Sequence, residues 1–191
     1  MTPAASTHAA SIHYAALLRG INVGGNNPVA MADLAECFRD AGYDDVRTVL
    51  ASGNVVFTAK GTTSRGLEPA IERALRQRFG ADIAVLVRSR DELAKVVEKA
   101  PKGHDSPKLR SDVFFLKHPL TARQALAKVP ELNDDVDSIA AGTGVLYFSR
   151  VKATATKTRI QKFMASPVFK QVTVRTWGTT TKLLKLLDAD D

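Results

Sequence analysis

The chain lacks several features that would point to particular classes of protein. Its single cysteine, Cys37, excludes an intramolecular disulfide bond and a cysteine-based metal site. No apolar run approaches the roughly 20 residues that a transmembrane helix needs. The four histidines show no metal-ligand spacing, and no serine lies in a Gly-x-Ser-x-Gly context. These absences predict a cytoplasmic protein with no metal, no cofactor and no membrane partner.

Acidic residues are absent from one long interval, between Ser138 and Leu187. The same interval contains many cations: Arg150, Lys152, Lys157, Arg159, Lys162, Lys170, Arg175, Lys182 and Lys185. In a chain of net charge +7, this asymmetry favours an anionic partner, either nucleic acid or a nucleotide. The alternative is a solvated basic face that only keeps the protein soluble.

Apolar spacing predicts two successive strand–helix–strand–strand–helix–strand (βαββαβ) units. Such units indicate an α+β fold of two tandem ferredoxin-like subdomains, joined by a helix and a polar loop. We expect a disordered tail at 1–12, an N-terminal subdomain at 13–88, a linker at 89–111 and a C-terminal subdomain at 112–191. The predicted helices cover 31–41, 67–79, 90–100, 121–129, 158–165 and 180–187. No sequence identity between the halves is evident, so the repeat is one of architecture.

The loop RGINVGGNN at 19–27 is the first candidate site, because it follows a predicted buried strand. Glycines let backbone N–H groups converge on an anion, and arginine and asparagine side chains add donors. The candidate residues are Arg19, Gly20, Asn22, Gly24, Gly25 and Asn26. The loop matches neither a Walker A loop nor a dinucleotide fingerprint. The alternative is a tight strand-to-helix connection in which Asn22 satisfies local backbone groups.

The turn Ser52-Gly53-Asn54 is a second candidate, and it joins two predicted strands. In a βαββαβ unit nothing requires this turn to lie beside the loop at 19–27. Its alternative role is a hairpin turn that needs glycine and asparagine for their backbone conformations.

Two basic, threonine-rich segments complete the candidates. In RTWGTTTK, a strand end turns into a helix whose N-terminus would attract an anion, with Arg175, Trp177, Thr179 and Lys182 as ligand residues. In TKTRIQK, Lys157 and Arg159 would contact phosphates. The alternatives are threonine capping with Trp177 packed between the subdomains, and a Thr158–Gln161 capping box.

The segments YAALLRGINVGG, DVRTVLASGNVVF, VLVRS and VRTWGTTTKLLKL, in this order, resemble the bacterial domain-of-unknown-function 1697 family. The resemblance runs from about Tyr14 to Leu187. It implies an α+β protein without recognised catalytic residues. Thr176 and Gly178 stand where family members more often have asparagines, and the segment 156–159 replaces their Ser-Lys-Leu type turn.

We therefore expect a non-catalytic binder of a phosphate-bearing ligand, with nucleic acid favoured over a small nucleotide. The first alternative is an enzyme for a small phosphorylated or nucleotide substrate, with Arg19, Asn22 and Trp177 lining a cleft between the subdomains. The second is a protein-interaction or dimerisation module. The sequence assigns no catalytic residue and no oligomeric state.

Overall fold

A computed structural model of the protein describes residues 11–23 and 28–189. The chain divides into two compact units, the first ending at Arg90 and the second running from Asp91 to Ala189. Each unit contains one four-stranded antiparallel sheet together with helices. The α+β fold class predicted from the sequence is therefore confirmed.

The first unit has the element order βαββαβ. Its elements are β1 (Ser11–Leu18), α1 (Met31–Asp40), β2 (Asp44–Val49), β3 (Asn54–Lys60), α2 (Ser64–Phe79) and β4 (Val85–Ser89). The strand order is β2-β3-β1-β4. Helix α2 begins after Thr63, whose side chain accepts a hydrogen bond from the N–H of Gly66, and ends at Gly80 with φ +66°. Its buried Leu67, Ile71 and Leu75 pack into the core of this unit.

The second unit repeats this order of strands with shorter helices. Its elements are α3 (Arg90–Glu98), β5 (Leu109–Leu116), α4 (Ala122–Leu126), β6 (Asp137–Gly142), β7 (Val145–Val151), a 3₁₀ helix (Lys152–Lys157), α5 (Gln161–Met164), a second 3₁₀ helix (Pro167–Gln171), β8 (Val172–Thr176) and α6 (Trp177–Asp188). The strand order is β6-β7-β5-β8. Four phenylalanines form the centre of its core: Phe114, Phe148, Phe163 and Phe169.

The strand registers show that the two sheets correspond residue by residue. Ala15 of β1 pairs with Arg88 of β4, and Val113 of β5 pairs with Arg175 of β8. The last strands read VLVRS and VTVRT, so the halves share a Val-x-Val-Arg-Ser/Thr pattern that we did not detect in the sequence. A match of so few residues is not by itself evidence of a repeat. It becomes informative because the strand register places both arginines at the same position of their sheets.

Three boundaries differ from the sequence-based expectations. Ser11 and Ile12, assigned to the tail, belong to β1, since the strand extends to pair with Lys60 and Ala59. The expected linker, 89–111, contains the predicted helix as α3, but its last residues, from Leu109 on, belong to β5. The helix expected over 158–165 shrinks to α5, whose N-cap residue Ile160 forms no side-chain capping bond, so the predicted Thr158–Gln161 capping box is wrong.

Candidate functional site

The start of the glycine-rich loop is anchored by its backbone. Arg19 directly follows β1, is half-buried, and its N–H donates to the carbonyl oxygen of Ala84 at 2.9 Å. Gly20 is exposed and has φ +71°, a conformation that favours glycine. Gly24, Gly25 and Asn26 lie outside the described residues. The predicted convergence of three glycines on an anion thus stays a prediction.

The Asn22 side chain connects this loop to other segments of the first unit by hydrogen bonds. Its amide nitrogen Nδ2 donates to the carbonyl oxygens of Val29 at 2.9 Å and Ala51 at 3.1 Å. Its oxygen Oδ1 accepts from the N–H of Val29 at 2.9 Å. Asn22 itself has φ +54°, in the left-handed region. The side chain therefore has the local role that we gave as the alternative to ligand binding.

The hairpin turn at residues 50–54 lies directly against the same loop. The carbonyl oxygen of Gly53 accepts from the N–H of Leu18 at 2.8 Å. A Cβ atom on Gly53 would lie 2.7 Å from the Ile21 side chain, and the φ of Gly53 is +75°. From the sequence, nothing required the turn to lie beside the loop, whereas the pairing of β1 with β3 brings them together.

The threonines at the start of α6 cap the helix. Thr176 is the N-cap residue, and its side chain accepts from the N–H of Thr179 at 3.2 Å. The hydroxyl oxygens of Thr176 and Thr179 lie 3.0 Å apart. Of the other predicted ligand residues in this segment, Lys182 is exposed. The hydroxyl groups at this helix start are thus engaged with one another and with the backbone.

Arg175 is buried, with 8% of its surface exposed. Burial lowers the pKa of its guanidinium group to about 10, because removal from water disfavours the charged form. One guanidinium nitrogen, Nη1, donates to the carbonyl oxygen of Val174 at 2.8 Å. Arg88 forms the same bond to the carbonyl oxygen of Val87 at 2.8 Å. Each arginine thus donates to the carbonyl group of the residue before it.

Trp177 belongs to a cluster of three rings in the second unit. The ring centroids of Trp177 and His104 lie 5.0 Å apart with an interplanar angle of 88°. His104 makes a second edge-to-face contact, to Tyr147, at 5.5 Å and 78°. The Tyr147 hydroxyl group donates to the carbonyl oxygen of Val96 at 2.8 Å. The imidazole ring is therefore held between two aromatic side chains.

A cavity of about 190 Å³ adjoins this cluster and is lined by His104 and Tyr147. Three acidic residues line the cavity: Asp134 and Asp135 in the loop before β6, and Asp137 at the start of β6. The other polar lining residues include Lys102, Ser138 and Ser149. His104 and Asp137 are 4% and 6% exposed. Their atoms Nε2 and Oδ1 have no hydrogen-bond partner among the described residues.

The other carboxylate oxygen of Asp137 is occupied by backbone groups. Oδ2 accepts from the N–H of Arg159 at 2.9 Å and from the N–H of Asn133 at 3.4 Å. The Asn133 amide donates to the carbonyl oxygen of Lys157 at 3.2 Å. Asp137 and Asn133 thus attach the backbone of residues 157–159 to the loop before β6, while the Lys157 and Arg159 side chains are exposed.

Burial also shifts the pKa of two rings in this cluster. Desolvation lowers the pKa of His104, with a smaller opposing effect from the charge of Asp105. Desolvation raises the pKa of the Tyr147 phenol. At neutral pH the imidazole is therefore mostly uncharged, with a hydrogen on one ring nitrogen and a lone pair on the other.

Sequence reasoning missed His104 and Asp137 as members of one site. We set His104 aside for lack of metal-ligand spacing, and Asp137 as part of an acidic loop without an obvious partner. His104 lies in the loop before β5 and Asp137 begins β6, so no spacing rule relates them. Phe115 and Tyr147, on the two central strands of the second sheet, are 0% and 3% exposed, so neither ring is available to stack on bases.

The described residues contain neither a candidate metal site nor a candidate membrane-spanning helix. Over 11–23 and 28–189, no three His, Cys, Asp or Glu side chains are arranged to hold a metal ion. In the same part of the chain, no helix has the length and apolar character needed to cross a membrane.

Comparison with known proteins identifies the family. A solved structure with TM-score 0.83, that of the conserved bacterial protein SP0830 from Streptococcus pneumoniae, is 26% identical in sequence. The alignment covers 93% of this chain and 99% of that one. No curated protein matches the chain. The family model described as "Protein of unknown function (DUF1697)" matches residues 12–147, which is well over half of the chain. The chain therefore belongs to the DUF1697 family.

Proposed function

We propose that the protein binds a phosphate-bearing partner, nucleic acid, through the cations of its second unit. One observation carries the proposal. Every cation between Ser138 and Leu187 is exposed except Arg150 and Arg175, and no acidic residue lies in that interval. We call residues 152–162 the basic segment, since they contain Lys152, Lys157, Arg159 and Lys162.

The backbone of the basic segment is held in place. The two bonds from Asn133 and to Asp137 fix residues 157–159. Phe163, in the following turn, is fully buried in the phenylalanine core. A segment that is already ordered loses little conformational entropy when it binds, which supports its use as a contact surface.

Exposed lysine and arginine side chains suit phosphate contacts that do not depend on base sequence. Such contacts release counterions from the nucleic acid, so the logarithm of the binding constant falls linearly with the logarithm of the salt concentration. Each lysine or arginine that contacts a phosphate contributes roughly one to that slope. The salt dependence therefore reports how many cations take part.

The experiment is a fluorescence-anisotropy titration of labelled single- and double-stranded oligonucleotides at about 50 and about 200 mM salt. The test variant is the triple Lys157→Gln, Arg159→Gln, Lys162→Gln. The control is the triple Lys60→Gln, Arg65→Gln, Arg73→Gln, which removes as many exposed positive charges from the first unit. We expect the test variant to lower the slope by about 2–3 and the control to leave it near the wild-type value.

Two results contradict the proposal. No binding by the wild-type protein at the lower salt concentration excludes nucleic acid as the partner. Equal losses in the two triple variants show that only net charge matters, which is the solvated-face alternative.

Three finer inferences also remain our proposals. The strand orders β2-β3-β1-β4 and β6-β7-β5-β8 within βαββαβ units support two tandem ferredoxin-like subdomains. The single buried cysteine, Cys37, supports a reducing, cytoplasmic setting. An enzyme that acts on a small phosphorylated or nucleotide substrate stays the alternative function.

A further inference from the structure

We propose that the cavity beside His104 binds a small organic cation, one that carries an ammonium or guanidinium group, with the Asp137 carboxylate as its main partner. This inference concerns the loop before β6, and it is independent of nucleic-acid binding by the basic segment. It rests on two buried polar atoms, an excess of carboxylates and an aromatic wall.

The two buried atoms need a hydrogen-bond partner from outside the described chain. Asp137 Oδ1 and His104 Nε2 are both buried and unbonded among the described residues, and both residues line the cavity. A buried polar atom without a hydrogen-bond partner destabilises the folded protein. A ligand with several N–H groups would satisfy the carboxylate oxygen by a charge-assisted hydrogen bond.

The charge of the lining selects a cation. Asp134, Asp135 and Asp137 face a single lysine, Lys102, among the charged residues that line the cavity. This local acidic excess contrasts with the net charge of +7 for the whole chain. Anions, including phosphates, are disfavoured at this cavity, so it differs in preference from the exposed cations of the basic segment.

The aromatic wall adds a contact suited to the same ligand. The Tyr147 hydroxyl group is engaged with the carbonyl oxygen of Val96, which leaves the ring as its contribution to the cavity. The electron-rich face of an aromatic ring attracts a cation. The neutral imidazole of His104 adds a hydrogen bond without opposing the positive charge.

Size and donor geometry narrow the ligand further. The cavity, at about 190 Å³, is below the roughly 300–1,000 Å³ of pockets that hold drug-sized ligands. Within the described residues, no three acidic or imidazole groups are close enough together to hold a metal ion. A compact organic cation therefore fits the cavity better than a metal ion or a nucleotide.

The test is an NMR titration of the full-length, isotope-labelled protein with methylguanidinium chloride, using neutral methylurea as the near-isosteric control. We expect saturable shifts of backbone amides at 101–104 and 134–138 with methylguanidinium only. Asp137→Asn should weaken this binding at least tenfold, roughly what loss of a charged partner costs. The control variant Glu131→Gln removes an exposed carboxylate from the same loop that does not line the cavity, and should bind like the wild-type protein.

Asparagine at position 137 keeps an oxygen that can accept from the N–H of Arg159. Should Asp137→Asn nevertheless fail to fold, the double variant Asp134→Asn, Asp135→Asn decides, since both carboxylates are exposed. It should also weaken binding relative to Glu131→Gln. Equal shifts with methylurea, shifts that do not saturate, or no shift at all would show that water alone occupies the cavity, and would overturn the proposal.

Discussion

The two units build the same sheet but cover it with different helices. Both have the strand order in which the first strand lies between the third and the fourth. The first unit uses α2, a helix of 16 residues, between its third and fourth strands. The second unit has there only α5, a helix of 4 residues, with a 3₁₀ helix on each side. One sheet topology thus tolerates very different covering layers.

The two sheets also differ in side-chain volume at one position of their first strands. Ala16 of β1 pairs with Val55 and Val87, and Phe114 of β5 pairs with Leu146 and Val174, so the two residues occupy equivalent positions. The Phe114 ring lies 5.5 Å from that of Phe148, 6.2 Å from that of Phe163 and 5.8 Å from that of Phe169. At this position the first unit has a small residue, whereas in the second unit an aromatic ring packs against Phe163 of α5 and Phe169 of the following 3₁₀ helix.

The equivalent arginines differ in their surroundings as well. In the first unit, α2 supplies Glu68, whose Oε1 lies 3.8 Å from Nη1 of Arg88. In the second unit, the segment between β7 and β8 contains no acidic residue. Burial lowers the pKa of Arg175 to about 10.

The largest expected effect tests the phenylalanine core. Phe114→Ala should lower the free energy of unfolding by about 3–5 kcal/mol, because it leaves a cavity among three other rings. The control is Met164→Ala, at a side chain with 45% exposure, which should change stability by less than about 1 kcal/mol. Urea denaturation monitored by circular dichroism measures both. Similar values for the two variants would contradict the view that rings replace a helix here.

A smaller effect is expected for the acidic residue beside Arg88. Glu68 is 6% exposed and also accepts from the N–H of Val87 at 3.0 Å. Glu68→Gln keeps an oxygen acceptor but removes the buried negative charge, so we expect a loss of about 2–3 kcal/mol.

The matched control for this charge change is Glu36→Gln. The Glu36 carboxylate lies 2.9 Å from Arg78, but both side chains are largely exposed. Its loss should cost at most about 1 kcal/mol. Urea denaturation measures the free energy of unfolding of both variants. An equal loss in Glu36→Gln and Glu68→Gln would contradict a special role for the buried carboxylate beside Arg88.

The smallest expected effect is a pH dependence that originates in the second unit. Burial holds the pKa of His104 below 6.5, its value in an unfolded chain. As the pH falls below 6.5, the unfolded chain takes up a proton that the folded protein does not, so stability decreases. His104→Gln should flatten this decrease in thermal unfolding between about pH 7 and about pH 5.

The control for the pH experiment is His118→Gln, which removes an exposed imidazole. If His104→Gln and His118→Gln give the same stability profile against pH, the buried imidazole is not the source of the pH dependence.

Asp112 acts in the opposite direction in more acidic solution, because burial raises its pKa against the attraction of Arg150 and Arg110. Its contribution to stability is present at low pH and is lost as the pH rises through its folded-state pKa.

Much of the fold could be predicted from local pattern. Within the described residues, the eight strands and the six α-helices were all predicted, because apolar periodicity and glycine stops act over a few residues; the two 3₁₀ helices were not. Helix α2 is an example, since its buried positions follow helical spacing and Gly80 ends it. The length of the helix expected over 158–165 was overestimated. Phe163 and Phe169 reach the core from short helical turns, and the spacing of apolar residues cannot distinguish such turns from a longer helix.

What the sequence by itself determined is the fold class, the family and the acid-free, basic C-terminal interval, all of which depend on residue order and composition. Only the tertiary structure decided that Asn22 braces its loop against Ala51, that Arg88 and Arg175 occupy equivalent positions, and that His104 and Asp137 line one cavity. These relations depend on strand register and on the packing of loops that are distant in the chain. No local pattern encodes them, because each arises only after the sheets have formed.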